Sequence, residues 1–162
     1  MSVLARVAGR VLDALAIATF TGMFLCVIVQ VVLRYFFGDP TTWSDELARY
    51  LFVWCSFIGW VIAARRRSHL GIALVAERSP PRVQAAIELF GALASAAFAG
   101  VLLYYGLQIT SRNADVETVT LFFTFGVVYA IVPVAALAIG ALALADARRA
   151  VAALTQPAGP AR

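Results

Sequence analysis

Lysine is absent from this chain, histidine and cysteine are scarce, and charge of either sign is low. Among 162 residues there are one histidine, two cysteines and nine acidic residues, and all 13 basic residues are arginine. Charged residues make up 14% of the chain, whereas a soluble domain carries about 25%. The sequence therefore has too little polar surface to cover a water-facing globule, and a soluble domain is excluded.

The scarcity of metal-binding and nucleophilic side chains limits the possible chemistry. Cys26 and Cys55 lie within apolar segments and fit small buried hydrophobic residues, because a disulfide framework or a metal cluster needs more thiols at shorter spacing. The single histidine, His69, lies between apolar segments, so a bis-histidine haem site is not expected. No phosphate-binding loop or nucleophile-elbow motif occurs. We therefore predict no enzymatic activity, no cofactor and no metal site.

Long apolar segments dominate the chain instead. Hydrophobic residues make up 62% of it, and the mean hydropathy is +0.88. A helix needs about 20 apolar residues to cross the hydrocarbon core, and barrel strands would alternate polar and apolar residues, which these segments do not. We predict an all-α integral membrane protein with four transmembrane helices, at about residues 11–33, 47–64, 89–111 and 118–145. Residues 1–155 would form one membrane domain, and residues 156–162, rich in Pro and Ala, a disordered tail.

Local signals refine three of these spans. The first apolar segment is longer than the core of a secretory signal peptide, so we expect it to remain as an uncleaved span. Thr42 and Asp45 fit a capping box at the start of the second span, with Ser44 as the competing N-cap. Pro133 lies inside the fourth span and predicts a kink, because its ring clashes with the carbonyl group of Tyr129.

The distribution of arginine predicts the orientation. All arginines except Arg34, Arg49 and Arg112 fall on one side of the four spans. The positive-inside rule then places both termini and the central loop in the cytoplasm. The net charge of +4 is explained by these membrane-flanking loops, so we expect membrane lipid as a partner and no nucleic acid.

The middle of each span lacks charge. A transporter that binds ions itself usually has ionisable residues near the bilayer midplane, but here the charged residues fall at the ends of the spans. This pattern indicates a subunit that depends on a partner for transport.

A cluster at the outer end of the first two spans is the candidate interface with that partner. Its polar and aromatic members are Arg34, Trp43, Asp45, Glu46 and Arg49. Two deeper aromatic residues on a face of the second span, Trp54 and Phe57, belong to the same candidate interface. We expect Arg34 to reach toward the carboxylates. The alternative is an ordinary interfacial charge cluster with lipid-facing aromatics. Close helix packing is favoured by small residues at four-residue spacing. They are Ala92, Ala96 and Gly100 in the third span, and Ala136 and Gly140 in the fourth.

Several short motifs in order carry a resemblance to a known family. They are Arg34-Tyr35, Trp43 with Glu46-Leu47, Phe52-Val53-Trp54, Gly59, Arg65 to Arg67, His69-Leu70, Thr118 to Leu121, and Tyr129 with Pro133. In this order and spacing the chain resembles the small permease subunit of tripartite ATP-independent periplasmic (TRAP) transporters, the DctQ-like family. It departs from the family pattern at Gly71 and Ala73, where an acidic residue often follows the histidine.

The resemblance implies a function and partners. Such a subunit pairs with a large multi-span permease subunit in the bacterial inner membrane, and a periplasmic solute-binding protein delivers an organic acid. An ion gradient, typically of sodium, drives uptake without ATP. The large subunit carries the substrate and ion sites, and the small one supports its scaffold.

Two hypotheses that assign the chain to other functional classes of membrane protein remain open on the sequence alone. One is a self-contained four-span transporter that works as a homodimer, which would need a membrane-embedded carboxylate that is missing at the midplane. The other is a membrane anchor for a redox or signalling complex. The scarcity of histidine and cysteine counts against the redox version.

Overall fold

The computed structural model describes residues 3–38, 41–66 and 81–155. Predictions that concern Arg67, His69-Leu70, Gly71, Ala73 and the tail 156–162 lie outside the described residues. Within them the chain is helical, and its only extended pairing is a single antiparallel bridge between Glu117 and Thr124.

Five helices follow one another along the chain. They are α1 (Val3–Val32), α2 (Thr42–Arg65), α3 (Pro81–Arg112), the short α4 (Phe125–Tyr129) and α5 (Ile131–Thr155). A π-helical turn, Leu33–Phe37, extends α1 and ends at Gly38, whose φ of 68° is the left-handed conformation that glycine adopts readily.

Four helical segments are long and apolar enough to cross a membrane. They are Arg6–Phe37, Thr42–Arg65, Val83–Arg112 and Phe125–Thr155, the last formed by α4 and α5 together. This confirms the predicted all-helical class with four spans. Two ends of the molecule are named here for reference: the Glu46 end, where α2 begins, and the Arg65 end, where α2 finishes.

The start of the fourth span differs from the prediction. Residues 118–124 form a loop, and the helix begins only at Phe125. The hydroxyl of Thr118 lies 2.9 Å from the carbonyl oxygen of Leu121 and 2.7 Å from that of Phe123. A segment without charge need not be helical when its polar groups are satisfied inside a turn, and the predicted start of the span rested on lack of charge alone.

Pro133 interrupts the fourth span as its chemistry predicts. The helix is broken at Ala130, between α4 and α5, three residues before the proline. The backbone N–H of Ala130 still donates to the carbonyl of Gly126 at 2.9 Å. The interruption therefore leaves the neighbouring backbone hydrogen bond in place.

The long helices lie in a row. Within the described residues, the backbone of α1 neighbours that of α2, α2 neighbours α5, and α5 neighbours α3. The side chains of Trp60 and Phe98 add a contact between α2 and α3, with ring centroids 5.5 Å apart. The core is formed by Val61 of α2, Ala99 of α3 and Ala135 and Ile139 of α5. Helices α1 and α3 are consequently the two edges of the row.

Small residues bring α3 and α5 together. The buried positions of α3 recur every seven residues, at Ala85, Ala92, Ala99 and Gly106, a spacing that keeps one face against a neighbouring helix. Gly100, which the four-residue pattern predicted at the contact, is exposed. The small-residue packing is therefore present, but in a seven-residue register.

Gly106 supplies the closest approach of these two helices. A Cβ atom there would lie 2.9 Å from Cγ1 of Val132 and 3.2 Å from the backbone nitrogen of Pro133. We expect Gly106→Val to destabilise the fold by about 1–3 kcal/mol through overpacking, measured as thermal unfolding in detergent. Gly100→Val is the matched control, because nothing lies within 4 Å of that position. Equal losses for both variants would contradict the assigned packing.

Candidate functional site

Glu46 forms the most extensively bonded polar group of the described residues. Its carboxylate accepts hydrogen bonds from the backbone N–H groups of Val119, at 3.1 Å, and Thr120, at 2.9 Å. The hydroxyls of Thr120 and Tyr50 also donate to it. We call Glu46, Tyr50, Val119 and Thr120 the Glu46 cluster. It connects the first turns of α2 to the loop between α3 and α4.

The start of α2 explains why Glu46 lies there. Thr41 is the N-cap in extended conformation, and its side chain makes no capping hydrogen bond to a backbone N–H of the helix. Ser44 instead contacts the Thr41 hydroxyl at 2.6 Å and donates to the Thr41 carbonyl at 3.1 Å, so the predicted capping box does not form. Tyr50 lies one helical turn after Glu46, the spacing at which side chains meet on one face.

The cluster combines a charged acceptor with neutral donors. A carboxylate that accepts from backbone amides makes stronger hydrogen bonds than two neutral partners do. The Glu46 residue is only 9% exposed, and removing a carboxylate from water is costly unless its oxygens are bonded. Four donors meet that requirement here and at the same time fix the backbone at residues 119 and 120.

Aromatic rings surround the polar cluster on the loop side. The Tyr50 ring meets Phe123 edge to face at a centroid distance of 6.0 Å, and Phe125 at 5.7 Å. Such arrangements add stability beyond the burial of area. Tyr50 therefore holds the loop twice, through its hydroxyl on Glu46 and through its ring on two phenylalanines.

The other predicted polar residues do not join this cluster. Asp45 pairs with Arg49 one turn later, as its spacing predicts, but both side chains are largely exposed and such pairs contribute little. The Arg34 guanidinium lies 5.9 Å from the ring of its neighbour Tyr35. Within the described residues it forms no ion pair with Asp45 or Glu46, so the approach expected from the sequence is not observed.

The predicted aromatic residues of α2 fall into different environments. Trp43 is 43% exposed, and Trp54 is half-buried. Phe57 packs against the core of this chain and lies 6.2 Å from Trp60. Its packing is accordingly intramolecular, whereas Trp43 remains available at the surface.

A cleft of about 540 Å³ lies beside the Glu46 cluster, between α1, α2 and the loop. Gln30 of α1, the Asp45–Arg49 pair of α2 and Phe125 contribute to its walls. The described residues contain no group of three His, Cys, Asp or Glu side chains that could hold a metal ion. The cleft therefore offers polar side chains and backbone but no metal-binding set.

Sequence reasoning missed the loop side of the site. Val119 and Thr120 are separated from Glu46 by more than 70 residues, and no local pattern predicts which backbone amides a distant carboxylate meets. The loop also exposes Val119 by 85% and Phe122 by 98%. A usable signal was the Thr118-Val119-Thr120 stretch, whose hydroxyl residues favour turns over a helix interior.

Removing the carboxylate of Glu46 tests the cluster. We expect Glu46→Gln to lower the melting temperature in detergent by several degrees and to speed hydrogen exchange at the amides of residues 119 and 120, because an amide cannot replace both acceptor oxygens. Asp45→Asn is the matched control on the same helix turn and should leave both measurements near wild type. Unchanged exchange in Glu46→Gln would contradict the assigned bonds.

Comparison with known proteins places this architecture in a family. Residues 23–153 match the family described as tripartite ATP-independent periplasmic transporters, DctQ component. The sialic acid TRAP transporter small permease protein SiaQ of Vibrio cholerae is 26% identical over 75% of this chain and 70% of its own length. A putative TRAP transporter small permease protein of Haemophilus influenzae is 33% identical over 54% of this chain and 55% of its own length.

A third relative is much longer than this chain. The sialic acid TRAP transporter permease protein SiaT of Haemophilus influenzae is 27% identical over 55% of this chain, which corresponds to 14% of its own length. The match of residues 23–153 covers most of the chain: the second half of the first long apolar helix, the second and third in full, and nearly all of the fourth. The family is a membrane component of transporters and not an enzyme family, and the chain belongs to it: it is a DctQ-like small permease of the TRAP transporters.

Proposed function

We propose that this chain is the non-catalytic small membrane subunit of a TRAP transporter that takes up an organic acid, and that it supports the scaffold of a large permease subunit. The observation that carries this proposal is the lack of charge inside the spans of a chain that belongs to the DctQ family. Between residues 14 and 33, 50 and 64, 89 and 111, and 125 and 145 there is no acidic or basic side chain. Substrate and coupling ion would then cross through another subunit.

The class of solute follows from the relatives. Their names refer to sialic acid and to C4-dicarboxylates, and both solutes carry carboxylate groups. An organic acid is therefore the solute class that we propose, delivered by a periplasmic solute-binding protein. Sodium is the proposed coupling ion, as in the family that the sequence resembles.

The long relative supports the partnership with a large permease. A stretch similar to this chain occupies only a small part of that permease protein, so the two kinds of sequence occur in one polypeptide. Segments joined in one chain commonly act together when they occur as separate chains. This observation favours the two-subunit arrangement over a self-contained homodimeric transporter.

We further propose a bacterial inner-membrane location with both termini in the cytoplasm. More of the described arginines lie near the Arg65 end than near the Glu46 end. The first group is Arg6, Arg10, Arg65, Arg66, Arg148 and Arg149, and the second is Arg34, Arg49 and Arg112. The positive-inside rule assigns the arginine-rich end to the cytoplasm. The Glu46 cluster would accordingly face the periplasmic side of the membrane.

The proposed contact with the large subunit lies at the Glu46 end. It comprises the residues predicted from the sequence, Arg34, Trp43, Asp45, Glu46, Arg49, Trp54 and Phe57, to which we add the loop residues Val119 and Phe122. Within this set Glu46 would contribute indirectly, by fixing the loop to which it is hydrogen-bonded. Phe57 would also contribute indirectly, by packing against the core of this chain. The exposed apolar side chains of Val119 and Phe122 would make the direct contact, because a fixed backbone lowers the ordering cost of binding.

Reconstitution tests the division of labour between subunits. Alone in vesicles, this chain should move no solute. Together with the large permease subunit of its own system and the cognate solute-binding protein, it should support uptake of sialic acid or a C4-dicarboxylate that depends on a sodium gradient. Solute flux from the isolated chain would refute the proposal, and uptake by the large permease alone at the full rate would refute the supporting role.

Substitution of the loop tip tests the proposed contact. Val119→Ser combined with Phe122→Ser should lower co-purification of the large permease and lower uptake, while the melting temperature of the isolated chain stays near wild type. Phe36→Ser combined with Phe37→Ser is the matched control, because these residues are 81% and 72% exposed at the same end. Equal effects of both pairs would indicate general contact with lipid and contradict the specific contact.

A further inference from the structure

A cluster of guanidinium groups surrounds one carboxylate at the Arg65 end. Asp13 of α1 accepts a hydrogen bond from Arg65 at 2.9 Å, and the guanidinium of Arg66 lies 3.5 Å from the same oxygen. A Cβ at Gly9 would lie 2.1 Å from Nη1 of Arg65. The Arg65 side chain therefore lies directly against the backbone of α1, and it joins the ends of the two helices.

Two further arginines lie on the same side of α1 as Asp13. Arg10 and Arg6 precede it by three and seven residues, spacings that bring side chains to one helix face. Both residues are exposed, and neither forms an ion pair within the part of the chain that the structure describes. We call Arg6, Arg10, Arg65 and Arg66 the arginine cluster; with Asp13 it carries a positive excess.

An apolar stripe continues from this cluster along α1. Ile17, Phe20 and Phe24 follow Asp13 at helical spacing, and their exposed fractions are 68%, 55% and 55%. The surface therefore presents cationic groups at the end of a spanning helix and apolar side chains along the adjoining membrane-embedded length. An anionic phospholipid has the complementary arrangement, with a phosphate at the surface and acyl chains below it.

We propose that the arginine cluster binds the headgroup of an anionic phospholipid, whose acyl chains lie along the stripe of Ile17, Phe20 and Phe24. A guanidinium group can donate two parallel hydrogen bonds to the oxygens of one phosphate. Asp13 positions Arg65 and Arg66, while the exposed Arg66, Arg10 and Arg6 supply the charge that the carboxylate does not neutralise. The proposal depends neither on the transport function nor on the side of the membrane to which this end belongs.

Lipid binding by the purified chain tests this proposal. Native mass spectrometry and thermal unfolding would compare phosphatidylglycerol with phosphatidylcholine of the same acyl chains. The wild-type chain should retain phosphatidylglycerol preferentially and be stabilised by it. The combined variant Arg6→Gln, Arg10→Gln and Arg66→Gln should lose at least about tenfold in affinity for it, with Arg65 left in place to keep α1 and α2 together.

Controls separate a defined site from general charge attraction. Arg34→Gln, Arg49→Gln and Arg112→Gln remove the same number of charges at the other end and should leave binding near wild type. If the triple variant at the cluster fails to fold, Arg10→Gln alone should still lower the affinity several-fold. Inorganic phosphate at matched ionic strength should not displace the lipid. Equal loss in both triple variants, equal binding of the two lipids, or displacement by phosphate would overturn the proposal.

Discussion

The carboxylate of Glu46 determines the conformation of the Glu46 end. It joins the hairpin of α1 and α2 to the hairpin of α3 and α5 through bonds to two consecutive backbone amides. Because lipid offers no hydrogen bonds, polar backbone near the membrane must find partners inside the protein. Glu46 provides them for residues 119 and 120, so the chain can leave the helix at Arg112 and resume it only at Phe125. The late start of the fourth span and the exposure of Phe122 both follow from the loop conformation that Glu46 stabilises.

The row arrangement of the helices explains why partners are expected on either side. In a closed bundle each long helix has two long neighbours, whereas α1 and α3 here each have one within the described residues. The small residues of α3 face α5, which leaves the large side chains Phe90, Leu93 and Tyr104 on the exposed surface of this edge helix. Such a layer presents two broad apolar faces, which lipid or another membrane subunit can cover without disturbing the internal contacts.

The sequence predicted what local pattern and composition determine. The four apolar segments and the interruption near Pro133 both rest on residues close together in the chain, and the structure contains each of them. The loop partners of Glu46 and the arginine partners of Asp13 were not predicted, since they lie more than 50 residues away. Arg34 was expected at the carboxylates because charge suggests pairing, but the donors of the loop had already satisfied Glu46.

The two ends of the molecule differ in how their charge is used, and this difference constrains what each can bind. At the Glu46 end the carboxylate is occupied by donors from the same chain, and Asp45 is occupied by Arg49. A partner there gains little from charge, so the apolar side chains of Val119 and Phe122 must provide most of the contact. At the Arg65 end one carboxylate faces several guanidinium groups, and the unneutralised charge attracts anions. Apolar contact therefore suits the first end, and electrostatic contact suits the second.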